Sequence, residues 1–298
     1  MECLDYQPNR IARSLRKKQT SSLGLVVADI TNPFYTEIAW SVEYLSYLRK
    51  YTMMLCSSDG DPEKEQFYIH QLSQWQVDGI ILVSSSIMPL QLVPTSTGNI
   101  PIILIDHDCP GYDFDTVIID DYYAGKIATE HLVQLGHKRI ACITGSKDII
   151  PSHKREFGYE AALRENGLEF DPALVVRGDF NIISGLNCAN RLLEMKNRPT
   201  AIFACNDLMA MGVMQSAFKH GLRIPEDLSV VGFDDIYWSK YTTPPLTTVK
   251  LPIHQMAEEA INCFIDRMEN PAKACRTVTL EVQLEKRGST GPLKKINP

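Results

Sequence analysis

The amino-acid sequence predicts an α/β fold built as two doubly wound parallel-sheet lobes, and three features carry that expectation. Apolar runs of strand length recur as unbroken Val/Ile/Leu stretches, the mark of strands covered on both faces of a parallel sheet. Amphipathic stretches of helix length lie between them, giving a repeated β-α order. Some nine such strands are more than one compact sheet holds comfortably, so two similar lobes fit better than one.

In order along the chain, the first strand is read at Leu23–Ala28. A helix follows at Asn32-Pro33, where an Asn oxygen can cap and Pro suits the first helical position. Ile38, Val42 and Leu45 then recur at helical spacing. The second strand is Thr52–Cys56, and Asp61-Pro62 repeats the capping signal before the charged opening turn Glu63, Lys64 and Glu65. Strands are read at Gly79–Val83, Ile102–Ile105 and Val117–Ile119, then at Arg139–Thr144, Leu174–Val176, Ala201–Ala204 and Leu228–Phe233. Gly136, Gly167 and Gly221 each follow an amphipathic stretch, where helices stop. Gly288–Pro298 reads as a short polar tail.

The totals bound the function. Of 298 residues, 44% are apolar and 22% charged, as in ordinary globular proteins, so most of the chain should be ordered. No apolar run is long enough for a membrane span, and Met1–Gln7 lacks a secretory core; the expected location is the cytoplasm. The eight cysteines are scattered, without C-x-x-C or metal-ligand spacing, and read as reduced structural thiols. The net charge of −6 is uneven: Arg10, Arg13, Arg16, Lys17 and Lys18 crowd one end, and without those five 25 basic residues face 36 acidic ones. A basic head on an acidic body suits an anionic partner at one end, or else a solvated tail.

No dinucleotide fingerprint, phosphate loop, nucleophile elbow or zinc motif is present, so neither an enzyme, a cofactor nor a metal is expected. What stands out is polar and aromatic residues just after strands, where doubly wound folds bind ligands. Asn32, Phe34 and Tyr35 follow the first strand, and Asp106 with His107 follows the fourth. Asn206-Asp207 follows Ala201–Ala204, and Asp234-Asp235 follows Val231-Gly232-Phe233. Acids there also suit helix N-termini, which leaves capping as an alternative for each pair.

At these residues the chain resembles the LacI/GalR family of bacterial transcription regulators. The likeness runs from about Leu4 to Thr290. It rests on Tyr6–Leu15 (YQPNRIARSL), Gly24–Phe34 (GLVVADITNPF), His131–Ile140 (HLVQLGHKRI), Asn206–Ala210 (NDLMA), Val230–Asp235 (VVGFDD) and Leu246–Val249 (LTTV). The resemblance implies two lobes of the periplasmic-binding-protein type joined by three crossovers, with effector between them. It implies a DNA hinge segment at 1–20, an N-terminal lobe at 21–120 and 251–276, a C-terminal lobe at 121–250 and 277–290, and a tail at 291–298. Family members begin with a helix-turn-helix, and this sequence opens on residues that match the segment after it.

Residue by residue, the resemblance implies an effector site of Asn32, Phe34, Tyr35, Asp106, His107, Arg155, Phe180, Asn206, Asp234 and Lys250. Arg155 matches the arginine of the family's R-x-x-G-[FYW] motif and would present a planar fork to hydroxyls; an exposed helix charge is the alternative. Phe180 would wall the site, unless it serves lobe packing. His107 stands where the ribose-binding pattern has Arg, and Lys250 where Gln is common, which argues against ribose in particular. Leu15 matches the hinge leucine that wedges into the minor groove, with Asn9, Arg10 and Arg13 facing the DNA. The implied function is a sugar-responsive regulator: a mono- or disaccharide changes the operator affinity of a homodimer. The alternative is a transport-associated sugar-binding protein, which would need a secretory signal and no basic hinge.

Overall fold

The computed structural model describes residues 19–83, 100–107, 109, 113–146 and 149–293. Twelve strands and seven α-helices are described. In chain order they are β1 (Ser22–Val27), α1 (Pro33–Leu48), β2 (Thr52–Ser57), α2 (Pro62–Gln74), β3 (Gly79–Val83), β4 (Ile102–Ile105), β5 (Asp115–Ile119) and α3 (Asp121–Gln134). There follow β6 (Ile140–Thr144), α4 (Ile150–Glu165), β7 (Val175–Arg177), α5 (Ile182–Leu193), β8 (Ala201–Ala204), α6 (Asp207–Lys219) and β9 (Ser229–Asp234). The last elements are β10 (Thr247–Lys250), α7 (Ile253–Glu269), β11 (Thr277–Leu280) and β12 (Gln283–Glu285). The hinge residues Asn9, Arg10, Arg13 and Leu15 lie outside the described residues.

The chain divides into two units. One takes the described residues up to Thr31, Tyr35–Ile118 and Ile253–Val278; the other takes Asn32–Phe34, Ile119–Pro252 and the described residues from Thr279. Past residue 100 the chain therefore passes between units three times, after Ile118, Pro252 and Val278.

The first unit holds a sheet in the order β11-β5-β4-β3-β1-β2. Its apolar runs form strands because both faces are covered. Alternation sends Gly24 and Ile80 to one face, where Leu72 of α2 approaches so closely that a Cβ on Gly24 would lie 2.7 Å from its methyl carbon. Leu23 and Gly79 point the other way, and Phe264 of α7 fills the space above Gly79. Val26, Ile69, Leu72, Val77, Ile80, Leu82, Ile102 and Leu104 close the core on the α2 side. Asp61 caps α2 by accepting from the backbone N–H groups of Glu63 and Lys64, as its place before Pro62 suggested.

The second unit repeats the plan, in the order β12-β10-β9-β8-β6-β7. Two helix pairs pack at backbone distance. A Cβ on Gly125 of α3 would lie 2.1 Å from the Arg155 carbonyl of α4, and one on Gly212 of α6 would lie 2.2 Å from the Ile182 carbonyl of α5. Each site needs glycine because any side chain would overlap a carbonyl of the neighbouring helix. Helices α4 and α6 cover opposite faces, since Arg155 sits over Phe233 while Asp207 touches Gly232, its neighbour in β9.

Three readings from the sequence need correction. The run of apolar stretches omits strands β10, β11 and β12, because Thr, Gln and Glu interrupt their apolar content. The edge strands β2 and β7 are only partly buried, having a neighbour on one side alone. Finally, β12 pairs antiparallel to β10. The three glycine stops hold: Gly136, Gly167 and Gly221 have φ of +89°, +69° and +68°. The cysteines among the described residues are free thiols. No described helix is long and apolar enough to cross a membrane.

Candidate functional site

In each sheet the first strand of the unit lies between the second and third, so the chain leaves β1 and β3, and likewise β6 and β8, in opposite directions. Crevices at the C-terminal ends of such strands are where doubly wound sheets take ligands. Asn32, Phe34 and Tyr35 come after β1 and Asn206 after β8; Asp106 and His107 follow β4, Phe180 comes after β7, and Asp234 and Lys250 end β9 and β10.

In the second unit the structure brings four of them together. Arg155 is buried at 5% exposure, which removes the reading as an exposed helix charge. Its Nε donates to Asp121 Oδ1 at 2.7 Å, its Nη1 donates to the Cys205 carbonyl at 2.9 Å, and its guanidinium stands 3.6 Å from the centre of the Phe233 ring. Three elements, α3, the end of β8 and β9, thus fix the fork in place. Beside Cys205, Asn206 caps α6 by accepting from Met209 N–H at 2.9 Å, and its amide nitrogen donates to the Phe180 carbonyl at 2.9 Å. Phe180 is half-buried, with its ring against Gly145, whose Cβ would lie 2.2 Å from a ring carbon. Asp234 ends β9, next to Phe233, and is buried.

Lys250 lies beside Asp234 in the register of β10 and β9, yet its side chain is exposed and 4.0 Å from Glu285. It is the least integrated member of the set. Capping does not explain Asp234-Asp235 either. The short 3₁₀ helix that follows, Tyr237–Tyr241, receives no side-chain cap from the residue before it, and Asp235 accepts from Arg287 instead.

After the first strand, Asn32 is buried and accepts from Phe34 N–H at 3.1 Å, which starts α1. Phe34 is buried and Tyr35 half-buried. After β4, Asp106 keeps one ladder bond, its N–H to the Val117 carbonyl at 2.9 Å, before the backbone turns away. His107 is buried, its Nε2 3.7 Å from the Cys109 sulfur.

Three of these residues adopt a backbone that side chains rarely accept. Asp106, Phe180 and Asp234 have φ of 61°, 56° and 109°. Such conformations cost on the order of 1–3 kcal/mol each and persist where surrounding structure imposes them, most often around ligands.

One acid, Asp121, escaped the sequence reading, and another, Asp207, was noted after its strand but serves the fold. Asp121 is buried against Arg155; burial raises its carboxyl above the usual range and the guanidinium opposes the shift. Asp120 alone supplies the cap of α3, so a second adjacent acid was the available signal. Asp207 is wholly buried, and burial pushes it up to about 7 against three hydrogen bonds, from the Ile236 N–H and the Ser239 and Thr248 hydroxyls. It ties β10 and the 3₁₀ turn to α6, a structural task. Among the described residues no cluster of His, Cys, Asp or Glu is arranged to hold a metal.

Residues 129–290 match the family of periplasmic binding protein-like domains. The Escherichia coli (strain K12) ribose operon repressor is 35% identical over 287 residues, spanning 96% of this chain and 87% of that protein. The transcriptional repressor PurR of Haemophilus influenzae (strain PittEE) is 36% identical over 268 residues, 89% of this chain and 79% of its own. Among solved structures, a LacI family transcriptional regulator from Enterococcus faecium with bound ribose superposes with a TM-score of 0.84 at 30% identity, covering 92% of this chain and all of the other.

Proposed function

The chain belongs to the LacI/GalR family of transcription regulators, and from that premise we propose that it senses a mono- or disaccharide through residues of both units. Membership in a family of regulators, rather than any missing motif, sets aside catalysis and the transport alternative. The proposed effector contacts are Asn32, Phe34, Tyr35, Asp106, His107, Arg155, Phe180, Asn206, Asp234 and Lys250. In this reading Phe34, Tyr35 and Phe180 lie against sugar C–H faces while the polar groups take hydroxyls. Effector favours one arrangement of the units, which changes how the basic segments of a dimer meet operator DNA; sugar and operator affinities are then linked reciprocally.

The observation that carries this reading is the left-handed backbone of Asp106, directly after β4, of Asp234, at the end of β9, and of Phe180, three residues past β7. The bound ribose of the Enterococcus faecium relative supports the ligand class.

Thermal unfolding in the presence of D-ribose, D-glucose and cellobiose tests the proposal. A sugar at 100 times its dissociation constant stabilises by about 2.7 kcal/mol, and Arg155→Ala should abolish the response. Failure of all mono- and disaccharides to shift the transition would overturn it.

A further inference from the structure

Arginine is the residue of choice for anions because its donors lie in two-atom edges that grip a phosphate or carboxylate from one side. Arg155 does not offer itself that way. Asp121 occupies the Nε donor and so closes the Nε edge to a bidentate anion. The Cys205 carbonyl takes a bond from Nη1, and Phe233 covers one face of the plane. Side-chain exposure is only 6% for both Arg155 and Asp121, so the ion pair sits where water screens little of the carboxylate's field.

We propose that Asp121 and Arg155 act as one electrically neutral hydrogen-bonding unit, and that the chain therefore selects an uncharged polyol over its phosphate ester. The inference rests on the effector site proposed above. Asp121 is a positioning residue: it holds the guanidinium plane and cancels its charge without itself reaching the sugar.

The other charges named for the site point the same way. Asp234, at the end of β9 in the same unit as Arg155, is a carboxylate, so an anionic group beside it meets charge of its own sign. Lys250, the second cation of the set, is exposed and lies against Glu285. A hydroxyl, which both donates and accepts, fits a mixture of carboxylates and a neutralised guanidinium; a phosphate, which at neutral pH only accepts, does not.

Titration calorimetry on the full chain tests this with D-ribose and D-glucose as probes beside ribose 5-phosphate and glucose 6-phosphate. The parent sugar that binds should do so at least tenfold more tightly than its ester. Asp121→Asn, which keeps an acceptor near Nε but removes the charge, should reduce that preference at least threefold, and Asp121→Glu should retain it. The preference ratio is a readout that merely loosening the fold would not move in this direction, and unfolding midpoints of the variants check that each is folded. If Asp121→Asn fails to fold, the ratio in the natural sequence and in Asp121→Glu still decides. An ester that binds more tightly than its parent, or a folded Asp121→Asn with an unchanged ratio, overturns the inference and leaves the sugar site standing. A chain that binds neither probe set and no other mono- or disaccharide overturns the sugar site itself, and this inference with it.

Discussion

Buried polar side chains in the second unit divide into those that make up or support the proposed effector contacts and those that hold the fold. Arg155, Asn206 and Asp121 belong to the first kind, tied to one another's neighbours at the end of β8. Asp207, His131 and His137 belong to the second. His137 bonds Thr200 and Ser229 hydroxyls and the Gly291 carbonyl, and His131 bonds Thr290 at 2.9 Å, so both fasten the segment after β12. Burial, aided by Lys286 and His137, lowers His131 to about 4. The unfolded chain protonates this histidine near its ordinary value of 6.5 while the folded chain does not. Acidification from pH 7 to pH 5 therefore favours unfolding through His131, by on the order of 1–2 kcal/mol. Denaturant titrations at the two pH values should show that loss, and His131→Gln should shrink it; an undiminished loss in the variant would assign it elsewhere.

At the scale of elements, the paired helices carry a prediction that separates packing from function. Gly125→Ala and Gly212→Ala each drive a methyl into a carbonyl of the neighbouring helix, at 2.1 and 2.2 Å. Both should destabilise by roughly 1–3 kcal/mol, the usual cost of overpacking. They differ in what they displace. The carbonyl opposite Gly125 is that of Arg155 itself, so Gly125→Ala shifts the proposed effector fork directly; the one opposite Gly212 is that of Ile182, which is not among the proposed contacts and follows Phe180 by two residues. Sugar affinity measured below the unfolding transition should fall several-fold in Gly125→Ala and by clearly less in Gly212→Ala. Equal losses in both would mean that stability, not placement of Arg155, sets affinity.

At the scale of the whole molecule, charge is the feature that reaches furthest. Five positives between Arg10 and Lys18 stand against an acidic remainder. If this leader meets DNA, as its match to the family hinge implies, binding of the chain to duplex DNA should be weak and should weaken steeply with salt. Replacing Arg10 and Arg13 with Gln should lower the slope of log affinity against log salt by about 1 for each phosphate no longer neutralised. A slope unaffected by both changes would remove the leader from the interface.

The fold class was legible in the sequence because a strand covered on both faces must be apolar throughout. That requirement marks Gly79–Val83, Ile102–Ile105 and Ala201–Ala204 to the residue, and the caps at Asp61 and the glycine stops follow from local backbone chemistry. Strands β10 to β12 were not legible, since their environment comes from neighbours distant in the chain and polar residues serve there as well as apolar ones. The candidate site divides along the same line. Its polar residues announced themselves by standing after strands, but neither the pairing of Asp121 with Arg155 nor the left-handed backbone of Asp106, Phe180 and Asp234 is written in any local pattern. Both depend on which elements the fold packs side by side: a buried charge needs a partner from another segment, and a strained turn needs surroundings that hold it.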